Sequence, residues 1–184
     1  ETSLAVIIQR MIDSDKSGVI FSKDPSRNRE DVVIEAVWGL GEGIVSGKIT
    51  PDSYLVSRKF QILEKEIGNK KIAITRGVSG DEEVVKLNEE RSRQQVLKDH
   101  EIIKLAEIAL RLETHYQKPQ DIEFAIENNE IYIVQTRPIT TLEKRSESSS
   151  LKELKGEVIL KGMAASPGIG VGKVKIIHRV EDLK

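Results

Sequence analysis

The sequence predicts an α+β fold: a mainly antiparallel sheet with one long helix, followed by the start of a second β-rich domain. Three observations carry that expectation. Short β-branched runs recur between turn residues in the first half, a helical period begins near Asp99, and strand alternation returns from Gln120 to Ile139.

The elements follow in order. Leu4 to Met11 has the β-branched content of a strand, and Asp13 to Gly18 that of a polar turn. A second strand, Val19 to Ser22, ends at Asp24-Pro25, and a third, Val32 to Val37, runs into Gly39-Leu-Gly-Glu-Gly43. Further short strands are expected near Ser53 to Ser57 and Phe60 to Lys65. From Asp99, a helix cap by residue type, Ile102, Leu105, Ala106, Ala109, Leu112 and Tyr116 fall on one helical face, and Pro119 stops the helix. Glu143 to Ser150 is charged, serine-rich and without apolar period, so residues 142–156 read as a linker between a domain at 1–141 and a truncated one at 157–184. With Glu1 in place of a methionine, the chain reads as a piece of a longer polypeptide.

Composition narrows the function. The 184 residues are 38% hydrophobic, enough for a real core, and carry a formal charge of -1. Such a balance gives no general attraction to nucleic acid or to an acidic membrane. No apolar run has the length of a transmembrane helix, and the start lacks the pattern of a signal peptide. There is no cysteine, so neither a disulfide framework nor a thiolate site exists, and a cytoplasmic location is expected.

The hairpin from Gln120 to Ile139 carries the chemistry. Side chains two apart on a strand share a face, so Asp121 aligns with Glu123 and Gln135 with Arg137. Such a face can hold a divalent cation on oxygen ligands and set an arginine beside a phosphate. An ordinary amphipathic hairpin accounts for two acids alone; the added glutamine and arginine favour the site. A two-residue loop at Asn128-Asn129 would put Asp121 and Glu123 with Tyr132 and Val134. An odd loop, Glu127-Asn128-Asn129 with the last asparagine left-handed, would instead pair Ile126 with Glu130 and bring Asp121, Glu123, Gln135 and Arg137 together. Ile122, Phe124, Ile126, Tyr132 and Val134 would then face the core.

Other motifs are ambiguous alone. Ile44 stands where the last glycine of a dinucleotide fingerprint belongs, and no βαβ unit surrounds the glycines, so a Rossmann reading fails. Gly39 to Gly43 is either a loop needing positive backbone angles or one that closes over a nucleotide with Glu42 towards the sugar. Gln9 and Met11 either flank an adenine or are core and edge residues. His100, His115 and His178 form no cluster, and Ser166 is a turn residue before proline.

Pro119-Gln-Asp-Ile-Glu-Phe124 and Ile131-Tyr-Ile-Val-Gln-Thr-Arg-Pro138 closely resemble the end of the ATP-binding domain of the phosphoenolpyruvate synthase (pyruvate, water dikinase) family. Ser17 to Phe21, Ile34 to Gly47, Thr50 to Tyr54 and Glu113 to Tyr116 look like the same family. Lys161 to Lys173 looks like the entrance to its swivelling phosphohistidine domain. The resemblance implies the second subdomain of an ATP-grasp fold, in an enzyme that makes phosphoenolpyruvate from pyruvate, ATP and water through a phosphohistidine, releasing AMP and phosphate. It implies that Glu123 and Gln135 hold magnesium or contact phosphates, that Asp121 supports them, and that Arg137 stabilises charge on the transferring group. It also implies Gln9 and Met11 near adenine and Glu35 or Glu42 near ribose. Pyruvate would bind on domains outside this chain, and the chain alone would be inactive. Gln117 departs from the family, which often has glycine there. Another dikinase, a rifampicin-type phosphotransferase, or a non-catalytic nucleotide-binding module are the alternatives, and a homo-oligomeric parent is left open.

Overall fold

The computed structural model describes residues 5–25, 29–139 and 172–173. The chain divides into compact units at residues 1–147 and 148–184. The linker expected at 142–156 lies outside the described residues, and so does the second domain apart from Gly172 and Lys173.

Eleven elements are described: β1 (Lys16–Phe21), β2 (Val32–Trp38), α1 (Glu42–Val45), β3 (Asp52–Val56), β4 (Ile62–Glu66), β5 (Ile72–Arg76), β6 (Glu82–Lys86), α2 (Glu89–Arg93), α3 (Asp99–Tyr116), β7 (Gln120–Glu127) and β8 (Glu130–Pro138). Six strands form one antiparallel sheet in the order β4-β3-β2-β1-β7-β8, and β5 pairs with β6 in a separate hairpin, bridged to Gly39 through Ile74. The fold is therefore α+β with a mostly antiparallel sheet, as the strand spacing and the single long helical period predict.

α3 covers one sheet face. Ile102, Leu105, Ala106 and Ala109 are fully buried against Ile20, Ile34, Tyr54, Ile122, Phe124 and Ile126. Each large apolar side chain there contributes about 1.5–3 kcal/mol by leaving water. Tyr116 does not continue the buried stripe; it is exposed and packs edge-on to His115 at 4.8 Å. Lys16, read from sequence as part of a turn, opens β1 because its ammonium bonds both Glu101 carboxylate oxygens at 2.8 Å beneath α3. Gly18 follows from close strand packing: a Cβ there would collide with the Glu35 carbonyl oxygen and stand 2.7 Å from the Phe124 ring.

The α3 ends differ from expectation by short steps. The N-cap is Lys98, whose backbone N–H donates to the Glu101 carboxylate at 2.6 Å, while Asp99 lies in the first turn. There Asp99 accepts a bond from Lys65 at 2.5 Å, and that bond is the first cause of its lowered pKa. At the other end, termination occurs at Gln117, two residues before Pro119, with φ 53° and ψ 30°. Glycine is the residue suited to that left-handed cap. Gln117 is exposed, so Gln117→Gly removes strain without removing packing and is expected to stabilise the chain by about 0.5–1 kcal/mol in urea unfolding.

The strand expected at Leu4 to Met11 is not formed over its described residues, 5–11. Val6, Ile7 and Ile8 are 79%, 86% and 98% exposed, since no sheet edge among the described residues receives their backbone. The sequence reading also omitted the β5–β6 hairpin and α2. β6 has no buried residue and so shows little of the apolar pattern that marks a half-buried strand.

Beneath the loops, Asp52 and Lys70 form an ion pair with both side chains fully buried. Asp52 also accepts from Gly68 N at 3.0 Å, Val96 N at 2.8 Å and the Tyr54 hydroxyl at 2.9 Å. Lys70 donates to the Gly68 carbonyl at 2.9 Å. The Asp52 oxygens are thus satisfied by one charged and three neutral donors in place of water. Burial pushes the Tyr54 phenol far up, so it remains a donor.

Candidate functional site

The hairpin turns on Asn128 and Asn129, both left-handed with φ 53° and 64°, the positive φ pair of a two-residue type I′ loop. Glu127 pairs with Glu130 and Ile126 with Ile131. The odd loop expected from sequence is therefore wrong: asparagine tolerates positive φ at both positions, and the tight turn fits the strand twist. Such a loop alone would split the polar set. The structure avoids this with a β-bulge, because Phe124 pairs with Ile133 whereas Glu123 pairs with Gln135, leaving Val134 as the extra residue. Asp121 then pairs with Arg137, and all four polar residues stand on one sheet face.

The same bulge redistributes the apolar residues. Tyr132 pairs with Ala125 on the polar face and Val134 lines a cleft there, so neither faces the core as expected. Ile131 packs against the core in their place, and Ile133 stands opposite Phe124.

Arg137 donates to Asp121 Oδ2 from Nε at 2.9 Å and its Nη2 lies 2.8 Å from the same oxygen. The arginine side chain is 67% exposed and the aspartate 15%. A pair so open to water adds at most about 1 kcal/mol to stability. What it does supply is orientation: the aspartate fixes the guanidinium root while the remaining donors face outward. Next along the strands, neither Glu123 nor Gln135 makes a side-chain hydrogen bond among the described residues, so their oxygens are available. Both are hard donors, directly opposed across one strand pair.

Gln9, Met11, Glu42 and Glu123 converge on a cleft of about 390 Å³ that also takes in Val19 and Arg76. Gln9 reaches it from the segment before β1, with Nε2 donating to the bulged Val134 carbonyl at 3.4 Å. Gln9 and Met11 are exposed, which removes the reading of them as core residues. Glu42 opens the short α1 after the left-handed Gly39, φ 77°. Asp121, Gln135 and Arg137 continue the polar face along the hairpin without lining the cleft. Glu35 does not line it either; it stands beside Val19, two strands from Glu123 on the same face.

Burial pushes the Glu35 carboxyl above its ordinary value of 4.5. The folded chain therefore holds this proton more tightly than the unfolded chain, and the associated stability is lost as pH rises through the raised value. Glu35→Gln is expected to flatten the fall in stability above pH 4.5, measured by urea unfolding at stepped pH.

Arg76 and Glu82, both missed in the sequence, also line the cleft and are paired across β5 and β6. The available signal was two short alternating runs around Gly77 to Gly80. Among the described residues no group of three or more histidine, cysteine, aspartate or glutamate side chains is placed to hold a metal ion. Nor is any described helix long and apolar enough to cross a membrane.

Comparison with known proteins gives this geometry a family. The chain is 46% identical to a probable phosphoenolpyruvate synthase of Archaeoglobus fulgidus over 100% of its own length and 25% of the relative's. It is 43% identical to a probable phosphoenolpyruvate synthase of Methanocaldococcus jannaschii, over 100% of this chain and 16% of that protein. It is 41% identical to the phosphoenolpyruvate synthase of Pyrococcus furiosus, over 98% and 23%. The chain thus spans between 16% and 25% of the length of these relatives, and the resemblance read from its motifs is borne out. Residues 1–157 match the family described as pyruvate phosphate dikinase, AMP/ATP-binding domain. With that match over most of its length, the chain belongs to the pyruvate phosphate dikinase AMP/ATP-binding domain family.

Proposed function

We propose that this chain is the second ATP-grasp subdomain of a phosphoenolpyruvate synthase and supplies half of its ATP and magnesium site. The parent enzyme converts pyruvate, ATP and water to phosphoenolpyruvate, AMP and phosphate through a phosphohistidine. The observation that carries this reading is the bulged hairpin register, which stands Glu123 opposite Gln135 and Asp121 opposite Arg137 on one face.

In this reading Gln9 and Met11 flank the adenine and Glu42 lies towards the ribose, with Glu35 behind them. Glu123 and Gln135 hold a magnesium ion; two protein oxygens suit a cation that takes few carboxylates and completes its shell with phosphate and water. Bound there, magnesium would neutralise phosphate oxygens during transfer. Asp121 keeps Arg137 aimed outward, and the guanidinium stabilises charge that develops on the moving phosphoryl group. Val19, Val134 and Met11 give the base apolar surface to pack on. Pyruvate binds on domains outside this chain, and a cytoplasmic setting accords with the cysteine-free sequence.

The test is pyruvate-dependent conversion of ATP to AMP by the full-length enzyme that contains this segment, alongside the isolated 184-residue chain. The complete enzyme is expected to turn over and the chain alone to show none. Robust turnover by the chain alone would overturn the claim that it holds only half a site.

A further inference from the structure

A second cleft, about 330 Å³, adjoins the first and contains polar groups that the proposed nucleotide site does not use. Trp38 and Arg91 line it, and Arg76 lines both clefts. Trp38 is only 7% exposed, and its indole N–H is buried with no hydrogen-bond partner among the described residues. The Nε–H of Arg76 is in the same condition. Two buried donors without acceptors, on residues that line one cleft, are an unfavourable arrangement.

The charges point the same way. The Arg91 guanidinium lies 3.4 Å from the Trp38 ring centroid and is steadied by a 2.9 Å bond from Nη1 to Gln94, an uncharged acceptor. Neither Arg76 nor Arg91 forms an ion pair among the described residues, although Glu82 stands opposite Arg76 across the β5–β6 pair. Asp13 and Asp15 also line the cleft; like Arg91 they are exposed, where water and salt screen charge, so the half-buried Arg76 is the least screened charge there. The wall therefore sets the two arginines beside the Ser14 and Thr75 hydroxyls, each of which can also donate.

We propose that this cleft binds a small oxyanion, a phosphate or a carboxylate, between Arg76 and the Arg91 guanidinium that stacks on the Trp38 ring. Planar guanidinium groups favour such oxygens through paired charge-assisted bonds. Arg76 also lines the first cleft, so the two clefts share this cation.

The sequence has a single tryptophan, so its fluorescence reports this cleft. The 184-residue chain would be titrated with potassium phosphate, and separately with potassium acetate, against chloride at constant ionic strength. A saturable change is expected with at least one, and the tighter anion names the source. Arg76→Gln and Arg91→Gln should each move the midpoint by about tenfold or more, whereas Glu123→Gln should not move it. Circular dichroism of each variant checks that the fold is kept, and the exposed Arg91 gives a variant that leaves the core intact. A change that does not saturate with either anion would overturn the proposal. So would unchanged midpoints in both arginine variants, or a shift in Glu123→Gln as large as theirs, which would move the anion to the first cleft.

Discussion

Lys70→Met is expected to destabilise the chain by about 3–5 kcal/mol, because it leaves the Asp52 carboxylate buried without its counter-charge. Methionine matches the lysine stem in length, so packing changes little. The loss comes from the orphaned anion. Three neutral donors remain on Asp52, from Gly68, Val96 and Tyr54, and they fall short of the stabilisation a charged partner gives in a dry site. The double change Asp52→Leu with Lys70→Met should recover part of the loss, since it removes both charges together, although the Gly68 and Val96 N–H groups then lose their acceptor. Urea unfolding of the three variants measures this. A loss below about 1 kcal/mol in Lys70→Met would show that the pair is not sealed from water.

Arg137→Ala in the full-length enzyme is expected to slow the first phosphoryl transfer by about 10²-fold or more, equivalent to about 2.7 kcal/mol of barrier. ATP binding should weaken far less. The asymmetry follows from position: the guanidinium is 67% exposed and tethered by Asp121, so removing it disturbs neither core nor cleft wall. Its contribution falls on charge that appears as the phosphoryl group leaves, an interaction stronger in the transition state than in the ground state. Asp121→Asn should reproduce part of the rate loss by loosening the arginine. Phosphoenzyme formation in a single turnover, compared with the Kd for ATP, separates the two effects.

Much of this architecture can be read from the sequence where periodicity is strong. α3 shows itself because Ile102, Leu105, Ala106 and Ala109 keep a helical spacing, and the central strands show themselves through Val32 to Val37 and Gln120 to Glu127. What escapes depends on partners remote in sequence. Val6 to Ile8 have strand-like residues, but strand formation needs a receiving edge, which local composition does not reveal. The Asp52–Lys70 pair joins residues whose burial is set by loops, and isolated charges in sequence ordinarily signal surface. The candidate site is an intermediate case. Alternation identified Asp121, Glu123, Gln135 and Arg137 as one set, yet the device that unites them is a bulge at Val134 instead of an odd turn. Sequence parity requires one extra residue somewhere in the hairpin; backbone geometry decides where.

The most direct measurement of the central proposal is single-turnover phosphoenzyme formation by Glu123→Ala across a range of magnesium concentrations. Removing one of two hard oxygen donors should raise the magnesium concentration needed for half-maximal rate and lower the rate at saturation. An unchanged magnesium midpoint together with a wild-type rate would contradict the assignment of the hairpin face to the metal and phosphate site.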